Sequence, residues 1–405
     1  MKALNTLLAL SLLCSSLLLG AEQKKDKLDS YISENKKTQF DYDYEKNKAD
    51  SSKLRDSWIA PINLNYSNSV SNPYNSKQTA QSASVRMDQP IFQSGGIYYG
   101  IKFAEASKIY SDYSVDVAQR KLVKDAISLL MQIKQTDMKI QKQNLLIKNA
   151  DINLELKKAQ YISGQLDSGF LDNAIIDKNT AVQALYDIQT AKERLVSKFH
   201  AISDIAYESA KIPHLEILDK ESFLTHNIIL NMSDSEIEKN KYYKNVTITK
   251  YLPSVNFTAG YNWSKTENNA YQFGPSEKDY YDYGVKASMP LDINSFVDVA
   301  SAKVDYLKSK VTLEDKKREL TALYEQVMQN ITNFNKKIEL SEQNQEIYGK
   351  LLSDTKDLFD AGYKTEFDVN LLQNSYEIQA IDLGIYELDK QLELLTLYEM
   401  YKDEI

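Results

Sequence analysis

Apolar residues recur at every seventh position through two long stretches of the chain. In the first stretch these residues are Ala126, Ile133, Ile140, Ile147, Leu154 and Tyr161. Adding 198 to each number gives Tyr324, Ile331, Ile338, Gln345, Leu352 and Phe359, all apolar except Gln345. Sustained seven-residue spacing predicts long helices that pack as in a coiled coil. The constant shift predicts that the chain is one duplicated half-protein, since a period of this length is too long for a solenoid repeat.

Each of the two stretches predicts a helical hairpin. All seven prolines of the chain lie outside residues 91–212 and 291–405, and proline interrupts helices. We therefore expect one helical hairpin over residues 97–211 and the other over residues 297–402. At 1.5 Å per residue, the first helix would be about 95 Å long.

A β-hairpin is predicted before each helical hairpin, over residues 58–92 and 251–291, because apolar and polar residues alternate there. In the first copy the apolar positions are Ile62, Leu64, Tyr66, Ala83, Val85 and Met87. In the second copy the larger ones are Val255, Phe257, Tyr261, Trp263, Tyr281, Tyr283 and Val285. One apolar face with terminal aromatic residues and one small, polar face is typical of a strand that crosses a membrane. A half-buried sheet of a soluble protein gives the same alternation.

Two glycines mark the turns between the predicted helices. Gly164 and Gly362 are again 198 residues apart, and glycine can end a helix in a left-handed conformation. A long helical hairpin also presents its tip to a partner. Thr365 and Asp368 follow the second glycine, and either could cap the return helix. In a threefold ring, Asp368 could instead form an anionic constriction of a pore.

The first 21 residues have the layout of a secretory signal peptide, with one lysine, an apolar segment and small residues at Gly20 and Ala21. The only cysteine, Cys14, lies inside this segment. The mature chain would therefore contain no thiol and no disulfide. An exported chain of this size without disulfides suggests a bacterial envelope protein, although absent cysteines alone decide little.

The net charge of the chain disfavours one class of partner, and two further segments stand out by their composition and position. Without residues 1–21, 48 basic residues face 57 acidic ones, a net charge of about −9, which disfavours binding of nucleic acid. Residues 22–57 form a highly charged N-terminal segment, either a frayed tail or a surface helix, and we expect partial order only after about residue 40. Residues 212–250 bridge the two halves, and we expect one short helix there, beside the helical bundle.

The sequence contains no pattern that indicates catalysis or metal binding. His200, His214 and His226 lack the spacing of metal ligands, and no cysteine is available to complete a site. We find no nucleophile elbow, phosphate-binding loop, dinucleotide fingerprint or zinc-protease motif. The sequence therefore predicts no enzyme, no cofactor and no metal site.

The predicted strands require partner copies if they cross a membrane. No run of 18 apolar residues follows the signal peptide, so a crossing would have to use β-strands. Four strands cannot close a barrel of useful bore. Together with the signal peptide, this favours a symmetric oligomer whose protomers pool their strands.

From about residue 40 to 400, the chain resembles the TolC family of bacterial outer-membrane efflux and secretion channels. The resemblance rests on the duplicated hairpins, on the strand-to-helix transitions MDQPIFQSGG and ASMPLDINS, and on the tip segment LFDAGYKTEFDVNLLQNSYEIQA. It implies a homotrimer in which each protomer gives four strands to a twelve-stranded outer-membrane barrel. The helices would form a tunnel that extends into the periplasm.

The resemblance also implies partners and functional positions. The protein would be the exit duct of a tripartite efflux or type I secretion system, driven by an inner-membrane transporter. A periplasmic adaptor would contact the hairpin tips at Gly164, Gly362, Tyr363 and Thr365, and the apolar strand positions would meet outer-membrane lipid. Asp368 would belong to the channel gate, with Leu371 where a second acid is expected. The first tip, GQLDSGFLDN, is interpreted as carrying one extra residue, so no gate residue is transferred to it.

Two other classes of protein also use long helices. A periplasmic coiled-coil adaptor or scaffold would share the helical hairpins and the β-structure, but adaptors usually place a single helical hairpin inside a β-rich region. An extracellular coiled-coil structural protein would explain the seven-residue spacing. It would leave the alternation of Phe257, Tyr261 and Trp263 unexplained.

Overall fold

A computed structural model describes residues 30–72, 77–267 and 275–402. The predicted signal peptide, residues 1–21, lies outside the described residues. In chain order the elements are α1 (Glu34–Arg55), β1 (Asn63–Ser71), β2 (Gln78–Phe92), α2 (Gly96–Ile162), α3 (Ser168–His200), α4 (Lys220–Thr225), α5 (Ile228–Lys250), β3 (Ser254–Glu267), β4 (Ser276–Ser288), α6 (Ser295–Asp360) and α7 (Glu366–Tyr398). The prediction of a mainly helical chain with a small antiparallel sheet is confirmed.

The two long helices are α2, with 67 residues, and α6, with 66 residues. Each is about 100 Å long at 1.5 Å per residue, and each packs against a return helix of 33 residues. The seven-residue positions Ala126, Ile133 and Ile331 are buried near the middle of the molecule, whereas Tyr161 and Phe359 are exposed close to the tips. Within the described residues, none of the helices has both the length and the apolar character to cross a membrane.

The repeat is larger than the sequence pattern indicated, because α1 and α5 are equivalent helices. Each directly precedes a β-hairpin, and each begins where a return helix of its own repeat ends. The Ser33 N–H donates to the Ile202 carbonyl at 2.9 Å, and the Ile228 N–H donates to the Met400 carbonyl at 2.9 Å. The two acceptors are again 198 residues apart. One repeat is therefore a short helix, a β-hairpin, a long helix and a return helix.

The expectation that the N-terminal segment is ordered only after about residue 40 was wrong. Helix α1 begins at Glu34, and Ile32 before it is buried in the main hydrophobic core. The Glu34 N–H also donates to the Asp204 carboxylate at 3.1 Å. Of the two alternatives for this segment, the structure shows the surface helix. It packs on α2 through polar contacts such as Ser51 Oγ to the Ala104 carbonyl at 3.0 Å.

The expectation of one short helix in the bridge was also wrong. Besides the six-residue α4, the bridge contains the 23-residue α5, which lies between α2 and α6. Asn227 caps α5 by accepting from the Ile229 N–H at 3.0 Å. Three of its four buried residues are small and polar, namely Ser233, Ser235 and Thr249. An apolar pattern could not reveal a helix that packs through such residues.

The first return helix ends earlier than expected, at His200 rather than Lys211. Phe199 is fully buried, and its carbonyl accepts from the Ser203 N–H at 2.9 Å. The Ser203 hydroxyl in turn accepts from the Ile205 N–H at 3.3 Å. These local bonds turn the chain out of the helix at the level where α1 begins.

The helices form two stacked layers that share α2 and α6. Near the sheet, the neighbouring helices are α1, α2, α5 and α6, and near the tips they are α3, α2, α7 and α6. The main core lies where the layers meet, and its most buried large side chains include Ile127, Met131, Phe223, Ile331 and Leu395. The chain between α3 and α5 is fixed against this core, since the Gln391 side chain bonds both the N–H and the carbonyl of Leu215, at 2.8 and 3.3 Å.

In the described residues, the strands form one antiparallel sheet in the order β1-β2-β3-β4. The central pair, β2 and β3, joins the two repeats. An irregularity between Pro90 and Phe92 ends this pairing next to the helices. The outer strands β1 and β4 each pair on one side within the protomer, so each keeps one open edge.

Candidate functional site

The two hairpin tips share one backbone design. Gly164 and Gly362 have φ angles of 74° and 82°, in the left-handed region. The Gly164 N–H donates to the Tyr161 carbonyl at 3.0 Å, and the Gly362 N–H donates to the Phe359 carbonyl at 2.9 Å. In both tips the following residue bonds a carbonyl one position earlier. This pair of bonds is the Schellman motif, which satisfies the last carbonyls of a helix.

The return helices begin with different caps. In the first tip, the Asp167 carboxylate accepts from the Gly169 N–H at 2.8 Å. In the second tip, Thr365 and Asp368 form a capping box. The Thr365 N–H donates to Asp368 Oδ2 at 3.0 Å, and the Asp368 N–H donates to Thr365 Oγ1 at 3.3 Å. Both residues thus serve the helix start, as one of the two interpretations of the sequence predicted.

The prediction that the first tip carries an extra residue was wrong. Helix α2 ends at Ile162 and α6 at Asp360, while α3 begins at Ser168 and α7 at Glu366, so both turns are offset by the same 198 residues. Phe170 therefore occupies the position that corresponds to Asp368. At this position only the second hairpin has an acid, whereas the first has its acid at the cap position, Asp167, which corresponds to Thr365.

The Asp368 carboxylate is held in its ionised form. Hydrogen bonds from the backbone N–H and the hydroxyl of Thr365 hold the pKa of Asp368 below the usual value of aspartate. Asp368 is therefore charged at neutral pH while it caps the helix. Leu371, where a second acid was expected, lies one turn further along α7 and is exposed.

Large apolar side chains are exposed around both tips. Ile162 and Phe170 project from the first tip, and Tyr363 and Phe367 from the second, with Tyr363 81% exposed. Exposed apolar residues that cluster at one place on a surface indicate a contact with a partner. The sequence singled out Gly164, Gly362, Tyr363 and Thr365 at this end of the molecule, and their contact with an adaptor stays a prediction.

Strand register places the predicted lipid-facing residues on one face of the sheet. Tyr261 pairs with Tyr281, and Phe257 pairs with Val285. Because side chains alternate along a strand, the pairing defines an apolar face whose large members are Leu64, Tyr66, Val85, Met87, Val255, Phe257, Tyr261, Trp263, Tyr281, Tyr283 and Val285. That this face meets lipid stays a prediction.

The apolar face ends in polar contacts at the end far from the helices. Trp263 Nε1 donates to Glu277 at 2.9 Å, and the Tyr261 hydroxyl donates to Asp279 at 2.9 Å. Aromatic rings with a hydrogen-bonded polar end are suited to a boundary between an apolar and an aqueous phase. Closer to the helices, Tyr283 is 74% exposed and stacks on Tyr281 at a ring distance of 6.4 Å.

The opposite face, called the polar face below, consists mainly of small and polar residues. Its members on β2, β3 and β4 include Ser82, Ser84, Arg86, Asp88, Asn256, Thr258, Gly260, Asn262, Ser264, Lys278, Asp282, Gly284 and Lys286. Arg86 Nη2 lies 3.4 Å from Asp282 Oδ2. Sequence analysis missed this pair because the contact depends on the register between the two repeats.

A polar seam between α2 and α7 was also missed. Along it, Gln135 donates to Asp389 at 2.6 Å, Lys142 to Asp382 at 2.7 Å, and Asn374 to Asn149 at 2.8 Å. The three residues on α2 follow the apolar series at a constant offset of two positions. That second series with seven-residue spacing was the available signal. It shows that the two helical hairpins meet through hydrogen bonds as well as apolar contacts.

Comparison with known proteins finds a similar family and several solved structures of similar fold. Residues 223–401 match the model of a family described as outer membrane efflux protein. A comparison with curated protein sequences gives no match. The chain is similar in structure to the outer membrane protein VceC from Vibrio cholerae, with a TM-score of 0.70, 13% identity, and coverage of 93% of this chain and 96% of VceC.

Two further solved channels have the same fold. The CmeC outer membrane channel of Campylobacter jejuni gives a TM-score of 0.70 at 11% identity, over 93% of this chain and 86% of CmeC. The open state of the MtrE outer membrane channel of Neisseria gonorrhoeae gives a TM-score of 0.67 at 12% identity, over 92% of this chain and 87% of MtrE.

The fold, with its stacked helical hairpins and its sheet of one apolar and one polar face, is that of the outer-membrane channel proteins. The sequence match to the outer membrane efflux protein family covers residues 223–401, a little under half of the chain. The resemblance to TolC-like channels that the sequence indicated is thus confirmed.

Replacing Gly362 by alanine should loosen the second tip. A Cβ atom there would meet nothing within 4 Å, so the cost arises from the left-handed backbone alone and should be about 1 kcal/mol. Amide hydrogen exchange of residues 358–368, followed by mass spectrometry, should become faster. Gly100→Ala is the matched control, since Gly100 also has open space but lies inside α2.

The control should leave exchange at the tip unchanged and should slightly stabilise its own helix. Equal exchange in the Gly362→Ala and wild-type proteins would contradict the role assigned to the left-handed glycine.

Proposed function

We propose that three copies of this outer membrane efflux protein assemble into the exit duct of a tripartite export system. Each copy contributes four strands to a twelve-stranded barrel in the outer membrane. The helices continue the duct into the periplasm, where the tips meet an adaptor protein. The chain performs no chemistry, and an inner-membrane transporter supplies the energy.

The open edges of the protomer carry this proposal. On one side, β1 has an unpaired edge, and α1 and α3 pack chiefly against α2. On the other side, β4 has an unpaired edge beside the long helix α6. When the side with β4 and α6 of one copy joins the side with β1, α1 and α3 of the next, the interface is head-to-tail. Repeated copies of such an interface form a closed ring if the rotation between neighbours divides a full turn. A closed ring leaves no strand edge exposed.

Exposed apolar residues on both sides support the same interface. On α6 they include Val304, Leu307, Val311, Leu340, Ile347 and Leu351. On α3 they include Ile175, Ile176 and Tyr186. At the start of α6, Phe296 is 84% exposed, and just before it Leu291 is 91% exposed. Large apolar side chains as exposed as these are typical of a surface that is covered in an assembly.

The two faces of the sheet determine which side of the barrel wall faces lipid and which faces the channel. An outward apolar face with aromatic residues suits lipid, and an inward polar face suits a water-filled channel. Val255, Phe257, Tyr261 and Trp263 would then lie outside, together with their partners on β4. Serine, asparagine and threonine side chains of the polar face would line the lumen.

The tips close the far end of the duct. Threefold symmetry would repeat Asp368 at one height, and three ionised carboxylates close together form an anionic constriction that binds cations. Phe170 takes the equivalent position in the first repeat, so Asp368 has no counterpart there, and the acid of the first tip is the cap residue Asp167. Opening would move the helical hairpins between two packed arrangements, biased by the adaptor at Gly164, Gly362, Tyr363 and Thr365.

Removing the charge of Asp368 should weaken the binding of cations at the constriction. Asp368→Asn removes the charge but keeps an oxygen that can cap α7, so single-channel conductance should rise. The concentration of Mg²⁺ that blocks half of the current should increase about tenfold. Planar-bilayer recording of the purified protein measures both quantities. Thr365→Ala is the matched control, because it removes the capping hydroxyl and leaves the carboxylate charged.

If the charge of Asp368 controls conductance, Thr365→Ala should retain sensitivity to Mg²⁺. Unchanged conductance and unchanged block in Asp368→Asn would contradict the gate. A loss of Mg²⁺ sensitivity in Thr365→Ala as large as in Asp368→Asn would assign the effect to the helix cap instead.

Single cysteines should distinguish the two faces of the sheet. Because Cys14 is the only cysteine and lies in the predicted signal peptide, the mature chain offers a background without thiols. Ser84→Cys, on the polar face, should react with a membrane-impermeant maleimide when the protein is in lipid vesicles. Val285→Cys, on the apolar face, should react only after the vesicles are dissolved and the protein is unfolded.

Mass spectrometry of the labelled protein gives the extent of reaction, and unfolded samples of both variants serve as the full-reaction control. Rapid labelling of Val285→Cys in vesicles would contradict the proposed contact with lipid.

A further inference from the structure

One row of residues on the polar face contains two residues of opposite charge and a glycine between them. By register, Asn63 pairs with Arg86, Arg86 with Gly260, and Gly260 with Asp282. The row therefore crosses the whole sheet at one level, one residue from each strand. Arg86 and Asp282 are separated by the intervening strand β3, or about 10 Å of backbone. Nevertheless, Arg86 Nη2 reaches Asp282 Oδ2 at 3.4 Å.

Gly260 makes this contact possible. A Cβ atom at position 260 would lie 2.9 Å from Asp282 Oδ1, which is closer than real Cβ atoms approach an oxygen. The absent side chain lets the carboxylate of Asp282 and the guanidinium of Arg86 meet above β3. The carboxylate is also fixed from the side, since Asn262 Nδ2 donates to Asp282 Oδ1 at 2.8 Å. Both oxygens of Asp282 thus have partners.

Stability alone does not account for the pair. The Arg86 side chain is 59% exposed and that of Asp282 is 42% exposed, and an ion pair in contact with water contributes little to stability. Among the described strand residues, this is the one ion pair on the polar face. The other charged residues on this face are Asp88, Lys278 and Lys286.

Resting on the proposed function, we propose that Arg86 and Asp282 determine the ion selectivity of the barrel section of the duct. Threefold symmetry places three copies of the pair at one height on the lumen wall. While paired, the two charges cancel, and the wall is nearly neutral at this level. When one partner is neutralised, the other faces the water column uncompensated. The low dielectric constant of the surrounding protein and lipid focuses the field of such a charge on passing ions.

The test compares reversal potentials under a gradient of KCl, measured in planar bilayers with the purified full-length chain. All variants are made in the Asp368→Asn background, so that the charge of Asp368 at the tips does not contribute to the measured ion selectivity. Asp282→Asn should shift the permeability ratio toward chloride, and Arg86→Gln should shift it toward potassium, each by at least about twofold. The double variant Arg86→Gln with Asp282→Asn should return to the ratio of the background protein.

Asp279→Asn is the matched control, because it removes the same charge three positions away on the same strand but on the apolar face. It should leave the permeability ratio of the background protein unchanged. Opposite shifts of the two single variants, with this control unchanged, support the inference.

Conducting variants that all keep the ratio of the background protein would overturn the inference and leave the proposed duct intact. A shift in Asp279→Asn as large as in Asp282→Asn would overturn it too, because it would show a nonspecific effect of net charge. A parent protein that forms no channels would contradict the proposed function itself and the inference with it. If a single variant does not assemble, the double variant decides, since an altered ratio in that neutral pair contradicts cancellation.

Discussion

The unpaired hydrogen-bonding groups at the two edges of the sheet are the constraint on which the rest of the structure depends. An exposed strand edge presents unpaired N–H and carbonyl groups, and in a membrane each such group is costly. In the protomer β1 and β4 both have one open edge, and the long helix α6 beside β4 exposes a row of large apolar residues. A ring of copies satisfies all of these groups at once. A closed ring such as the proposed trimer is therefore favoured by hydrogen bonding and by apolar burial.

In the proposed assembly, the stacked helices would continue the ring from the sheet to the tips. Because α2 and α6 run through both layers without interruption, the shorter helices need only fill the spaces beside them. The main core lies where the shorter helices meet end to end, and toward the tips the helices become more exposed. Stability is thus concentrated in the middle, while the ends remain available for contacts. The polar seam between α2 and α7 joins the two hairpins through hydrogen bonds between side chains.

Much of the fold could be predicted because two simple patterns are repeated. The seven-residue spacing located the helical hairpins, and the shared offset of Gly164 and Gly362 located both turns. The start of α1 and the length of α5 could not be predicted, because these helices pack through polar or small residues and no apolar series marks them. The early end of α3 could not be predicted either, because local hydrogen bonds of Ser203 determine it and no apolar series marks them.

Positions within the candidate site could be predicted less well. The correspondence of Phe170 with Asp368 requires the true length of both turns, which only the helix ends provide. The Arg86–Asp282 pair requires the register of β2 on β3 and of β3 on β4, and no spacing within the chain contains that information.

The most direct test of the central claim is single-particle electron microscopy of the protein in lipid nanodiscs. We expect three copies, with β4 of each copy hydrogen-bonded to β1 of the next and the apolar face toward lipid. A monomer or dimer whose four-stranded sheets stay open, or a ring with the polar face toward lipid, would contradict it.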